Sequence, residues 1–201
     1  MKKTILLVLA AAFTGYAFIS EKKAEVYKIS TKSSTIEWVG RKVIGEHKGN
    51  IKVIPGELSI KNGIIEGGTI NFDMTSITCN DMQGEYADKL VSHLKSDDFF
   101  SVEKFKTATF KIKNIKPIEG AEEGKFNYTI TGDLTIKGIT NEISFPAIVA
   151  SKEDNIVTIG EVNVDRTKWD IKYGSASFVE NIGDKAIHND FTIKFKVGAK
   201  K

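Results

Sequence analysis

The chain has 201 residues, 29 basic against 26 acidic side chains, a formal charge of +3 and a single cysteine. The charges are interspersed, with no basic block to suit nucleic acid and no acidic tail to store metal ions. One cysteine excludes an intramolecular disulfide, so an apolar core must hold the fold, and the length is enough for one domain.

At the N-terminus, Lys2 and Lys3 precede an uncharged apolar run from Ile5 to Phe13, and Gly15 and Ala17 are small residues suited to a cleavage site. This is the pattern of a signal peptide over residues 1–17. The run is too short for a bilayer span, which needs roughly 18 apolar residues. No later segment is long and apolar enough to span, so the mature protein is expected to be soluble and exported, periplasmic or secreted.

Strand alternation then takes over. Between Thr35 and Val43, Ile36, Trp38, Gly40 and Lys42 share one face. Gly45-Glu46-His47-Lys48-Gly49 reads as a turn. A second strand places Ile51 and Val53 inward, and across Pro55-Gly56 the apolar parity flips to Leu58 and Ile60, which predicts a bulge or break. Asn62-Gly63 predicts a hairpin, and the next strand carries Ile70, Phe72 and Met74 inward.

The period turns helical between Asp81 and Lys95, where Tyr86, Leu90, Val91 and Leu94 share a face and Asn80 or Asp81 can cap the start. This helix is expected to lie across a barrel or over its opening. Phe99 and Phe100 follow it.

Alternation resumes with Ala108, Phe110 and Ile112 and, after an acidic loop, with Tyr128, Ile130, Leu134 and Ile136. Lys137-Gly138 closes a tight turn into Ile143, Phe145, Ala147 and Val149. Val157 and Ile159, then Val162 and Val164, predict a strand whose parity slips near Gly160-Glu161. The last strand is the cleanest, with Ile187, Phe191, Ile193, Phe195 and Val197 on one face. About eight strands and one main helix imply an all-β, antiparallel, closed barrel, and no internal repeat is visible.

Four segments together carry a resemblance. They are Trp38-Val39-Gly40-Arg41-Lys42 with Gly45-Glu46-His47-Lys48-Gly49; His93-Leu94-Lys95-Ser96-Asp97-Asp98-Phe99-Phe100; Gly132-Asp133-Leu134-Thr135-Ile136-Lys137-Gly138-Ile139-Thr140; and Val164-Asp165-Arg166-Thr167-Lys168-Trp169. In this order, over residues 26–197, they resemble the YceI-like, polyisoprenoid-binding family of bacterial exported proteins. The resemblance implies a lipocalin-like barrel whose lumen holds an isoprenoid or quinone-like chain, with no enzymatic activity and no cofactor. Two positions depart from the family pattern. Ser33-Ser34 stands where many members carry a histidine, and Phe105-Lys106 stands where a tyrosine-proline pair is usual.

The candidate lumen residues are Trp38, Phe72, Met74, Leu94, Phe99, Phe110, Leu134, Ile136, Phe145 and Phe191, with His47 and Arg166 as a polar rim. The bland alternative is a packed core, because an eight-stranded barrel can be filled by its own side chains. Arg166 is expected to pair with Asp165 or with a carboxylate across strands, or else to meet a phosphate or quinone oxygen. Lys42 would be costly inside without a partner, so the first strand is expected to end before it. The three histidines show no ligand spacing, so no metal site is expected. An enzyme acting on an isoprenoid lipid would need Cys79, His93 and Arg166 to converge. A stress or interaction protein would have no cavity. A homodimer is possible, since an exposed edge strand could pair two barrels.

Overall fold

The computed structural model describes residues 23–201, so the expected signal peptide at 1–17 lies outside the described residues. Eight strands run β1 Glu25–Lys42, β2 Glu46–Lys61, β3 Ile64–Asp73, β4 Thr107–Pro117, β5 Tyr128–Ile136, β6 Ile139–Lys152, β7 Asn155–Asp165 and β8 Ile187–Lys200, with one α-helix, α1, at Gly84–Lys95. Each strand pairs antiparallel with its sequence neighbours, and β8 closes onto β1. Closure pairs every strand of the described residues on both sides, which removes the open sheet edges an unclosed meander would have.

Two hairpins are fixed by local chemistry. Asn62-Gly63 and Lys137-Gly138 each hold two successive residues at positive φ, the two-residue turn that matches the twist of the flanking strands. The predicted break at Pro55-Gly56 is a bulge: the β2–β3 register shifts by one residue between Ile54 and Glu57, which lets Val53 and Leu58 both face inward despite their opposite parity.

Three expectations change. The first strand begins ten residues early, at Glu25, and runs through Lys42. Tyr27 and Ile29 are buried there, while the polar stretch that hid them supplies its own bonds: Ser34 Oγ donates to Ser30 O at 2.7 Å and accepts from the Gly198 N–H.

The second change is in β7, which has no parity slip. Ile156, Thr158, Gly160, Val162 and Val164 form one continuous inner face, and Val157 and Ile159 point outward, Ile159 at 43% exposure. The cause is the neighbouring strand. Residues paired across antiparallel strands share a face, and Val197, Phe195 and Ile193 of β8 pair with Thr158, Gly160 and Val162. The Phe195 ring occupies the space where a side chain at Gly160 would stand.

The third change is in α1. It starts at Gly84 with no side-chain cap, and Tyr86 is 76% exposed. Of the four expected residues, Leu90 and Leu94 pack against the core and Val91 does not, and no residue of the helix is fully buried. Asp81 is not a helix cap. Its carboxylate turns back to β2, accepting from the Lys48 N–H at 2.8 Å. The extended segment before it also runs along β2, where Thr78 N–H donates to Asn50 O and Asn80 N–H to Lys48 O. Gly49 permits this approach, since a Cβ there would overlap the Thr78 carbonyl.

Candidate functional site

The inner faces enclose an apolar cavity of about 200 Å³. Its walls carry two aromatic groups. Phe145 meets Phe110 at a tilt, 5.5 Å between centroids, and Phe195 edge-on at 5.4 Å, and Phe100 meets Phe191 edge-on at 6.4 Å. Gly132, on the inner face of β5, leaves the space that the Phe110 ring fills.

The cavity is polarised along the barrel. At one end Tyr27, Ile29, Ile60, Ile156 and Ala199 are buried and do not line it. At the other end exposed Lys42, His188 and Asp190 do line it, so the lumen opens there. That end also carries α1, whose Leu90 and Leu94 lean over the opening with Phe99 and Phe100. Val43, Ile44, Tyr86, Tyr173 and Phe178 stand exposed on the same end and extend its apolar surface outward.

All ten lumen candidates from the sequence line this one cavity, as do His47 and Arg166. Ile171 and Leu90 also line it. Ile171 follows an irregular turn and carried no periodic signal. Trp38 is fixed by its indole N–H, which donates to Thr78 O at 3.0 Å. Lys42 reaches the mouth because β1 runs through it, against the expectation that the strand stops short. Exposure there removes the desolvation cost that made an inward lysine improbable.

Arg166 corrects a second expectation. It is 4% exposed and pairs with no carboxylate. Asp165 instead accepts from the Thr167 N–H at 3.0 Å and Oγ1 at 2.6 Å. The guanidinium donates to three backbone carbonyls: Nη1 to Ile171 O at 2.7 Å, Nε to His188 O at 3.0 Å and Nη2 to Ile187 O at 3.1 Å. Burial pulls its pKa below the usual guanidinium value, with nearby Asp165 opposing. Trp169, 1% exposed, seals the same corner through its indole N–H to Leu134 O.

Cys79, His93 and Arg166 have separate partners. The half-buried Cys79 thiol meets Asp81 Oδ1 at 3.4 Å, and His93 Nε2 meets Asp98 at 3.1 Å while its ring packs against Phe99 and Tyr173. His47, in β2, does not bond the thiol either: its Nδ1 also goes to Asp81, at 2.8 Å. Among the described residues, no group of three His, Cys, Asp or Glu side chains is placed to share a metal ion, and no helix is long and apolar enough to cross a membrane.

Burial raises the pKa of Asp81, but the Lys48 N–H, His47 and Cys79 bonds outweigh it and bring the carboxyl down to about 2. A carboxyl with a depressed folded-state pKa adds stability that is full above its unfolded pKa of about 3.9 and is lost as pH falls toward the folded value. Between pH 5 and pH 2.5 the melting temperature should therefore fall less in Asp81→Asn than in the unaltered protein. Equal losses in paired thermal melts would show that Asp81 contributes no acid sensitivity.

A closed eight-stranded antiparallel meander with an apolar lumen open at one end is a lipocalin-like barrel. The profile of the YceI-like domain matches residues 27–199, and this chain belongs to that family. A UPF0312 protein of Staphylococcus aureus is 35% identical over 94 residues, 42% of this chain and 48% of that protein, so the chain spans about half the length of the staphylococcal relatives it matches. A UPF0312 protein of Vibrio cholerae is 28% identical over 151 residues, 71% of each chain. The fold is shared with BcnA of Burkholderia cenocepacia (TM-score 0.65, 19% identity, 86% of this chain and 99% of that one). It is also shared with a polyisoprenoid binding domain from Saccharophagus degradans (TM-score 0.62, 14% identity, 89% and 99%).

Proposed function

We propose that this chain is an exported carrier that holds a long apolar molecule, polyprenyl or quinone-like, in the barrel lumen. The observation that supports this reading most is the cavity itself: it is apolar, closed at one end and open at the other. A water-sized group needs about 10–15 Å³ of such volume, so the enclosed space takes on the order of ten methylene-sized groups without wall movement. At about 0.8 kcal/mol for each buried CH₂, that is about 8 kcal/mol gross, part of which is lost to immobilising the chain. Further chain in the mouth, against Leu90, Leu94 and Phe100, adds to it. Affinity then depends mainly on chain length and girth.

The Saccharophagus relative's description as a polyisoprenoid binding domain supports the same ligand class. The separate engagement of Cys79, His93 and Arg166 favours binding over catalysis, because none of them forms a nucleophile–base pair. Native mass spectrometry of protein purified without detergent should detect a bound lipid, or uptake of added polyprenol by the empty protein. The absence of both bound lipid and uptake would overturn the proposal.

A further inference from the structure

The mouth of the lumen is electrically lopsided. Arg41, Lys42, His47, Arg166 and His188 line it, against one carboxylate, Asp190. Two of the basic groups are already answered by acids of the protein: Arg41 meets Glu46 at 3.3 Å and His47 meets Asp81 at 2.8 Å. Lys42 makes no ion pair among the described residues, and Arg166 is buried with carbonyl dipoles for company but no carboxylate in contact. A guanidinium has five N–H donors, and three point at backbone carbonyls, so two N–H groups are left over. A buried charge is costly unless an opposite charge meets it.

These groups gather around the first residues of β8. Lys42 is the register partner of Ile187 on one side. Arg166 grips the Ile187 and His188 carbonyls from the other side. His188, exposed, lines the opening between them, and its side chain has no hydrogen bond or ion pair among the described residues. The outcome is a cationic rim directly above an apolar shaft.

On the reading that the lumen holds an apolar chain, we infer that the ligand is an acidic amphiphile, its phosphate or carboxylate head held at the mouth by Lys42, Arg166 and His188 and its tail in the lumen. The acidic head supplies a contacting anion, where the fold gives Arg166 only carbonyl acceptors and an Asp165 charge that is not hydrogen-bonded to it. It also fixes the direction of entry, tail first, because the shaft below the rim is lined by Trp38, Phe110, Phe145 and their neighbours.

The test uses matched probes that differ only in the head: a long-chain fatty acid against the alcohol of equal length, and a polyprenyl phosphate against its polyprenol. Each displaces a fluorescent apolar probe from the soluble protein. Each acid should bind at least about tenfold tighter than its neutral twin, the ratio that one charge-assisted hydrogen bond supplies. The advantage should shrink as salt is raised. The pair with the larger ratio identifies the head as phosphate or carboxylate. In Lys42→Gln/His188→Gln, both changes at exposed positions, the acid-to-neutral ratio should fall at least about threefold. Equal binding of acid and neutral twins would overturn this inference and leave the carrier reading intact, as would a ratio unchanged in the double variant. Binding of none of the four probes would overturn both.

Discussion

Ile193→Trp is expected to abolish uptake of any apolar chain while the barrel remains folded. Ile193 sits on the inner face of β8 opposite Trp38, is half-buried, and lines the cavity. An indole there projects into space that no protein atom occupies, so the side chain fills the shaft before it collides with the far wall. Overpacking of a core costs about 1–3 kcal/mol, which a cooperative barrel of this size survives. Loss of enclosed volume removes most of the methylene burial that drives binding, so affinity for a polyprenol should fall by roughly 100-fold or more. The neighbouring Lys194→Trp points outward from the same strand and should leave affinity unchanged. Lipid-probe displacement checks both, alongside far-UV circular dichroism. Full uptake by a folded Ile193→Trp would mean that the lumen is not where the ligand sits.

The second large effect concerns stability. Arg166→Met keeps the volume of the side chain but strips three donors from the carbonyls of Ile171, Ile187 and His188. Leaving a buried acceptor unsatisfied costs about 1–3 kcal/mol, so the corner should lose about 3–5 kcal/mol in all, since some carbonyls turn to water. For a domain of this size that is a fall of roughly 10 °C in melting temperature. Arg166→Lys should recover only part of it, because one ammonium cannot address three carbonyls in the plane of a guanidinium. The segment between Trp169 and Ile187 should become susceptible to proteolysis, since Arg166 ties both its ends, at Ile171 and at Ile187. Thermal melts and limited proteolysis check this. A melting point within a degree or two of the unaltered protein would show that the carbonyls find other donors.

The sequence was legible where a local rule and the tertiary environment agree. The Asn62-Gly63 and Lys137-Gly138 turns need only backbone chemistry. β8 alternates cleanly because Phe191, Ile193, Phe195 and Val197 place large apolar side chains at four successive inward positions. The ten lumen candidates share a cavity for the same reason: in a closed meander all inner faces look at one another, so parity alone collects them.

The failures have the complementary cause. The inner face of β7 presents Thr158 and Gly160, small groups chosen by the Phe195 ring opposite, so its outward Val157 and Ile159 mimic the inner face. The Glu25–Ser34 part of β1 is polar on the surface and bulged, and its strand character comes from pairing with β2 and β8. Asp81 looked like a helix cap until β2, more than thirty residues earlier, offered it a stronger set of donors.

The sequence by itself determined the class of fold, the inward stripe, the hairpins and the family, because period-two patterning and turn residues act over a few neighbours. Only the tertiary structure decided that the stripe surrounds empty space rather than a packed core, since a void depends on how rings from distant strands stack and which glycines make room for them. The tertiary structure also placed Lys42 and Arg166 on either side of one strand end, with a cation buried where no carboxylate follows it. That arrangement is set by barrel closure, which joins residues from opposite ends of the chain.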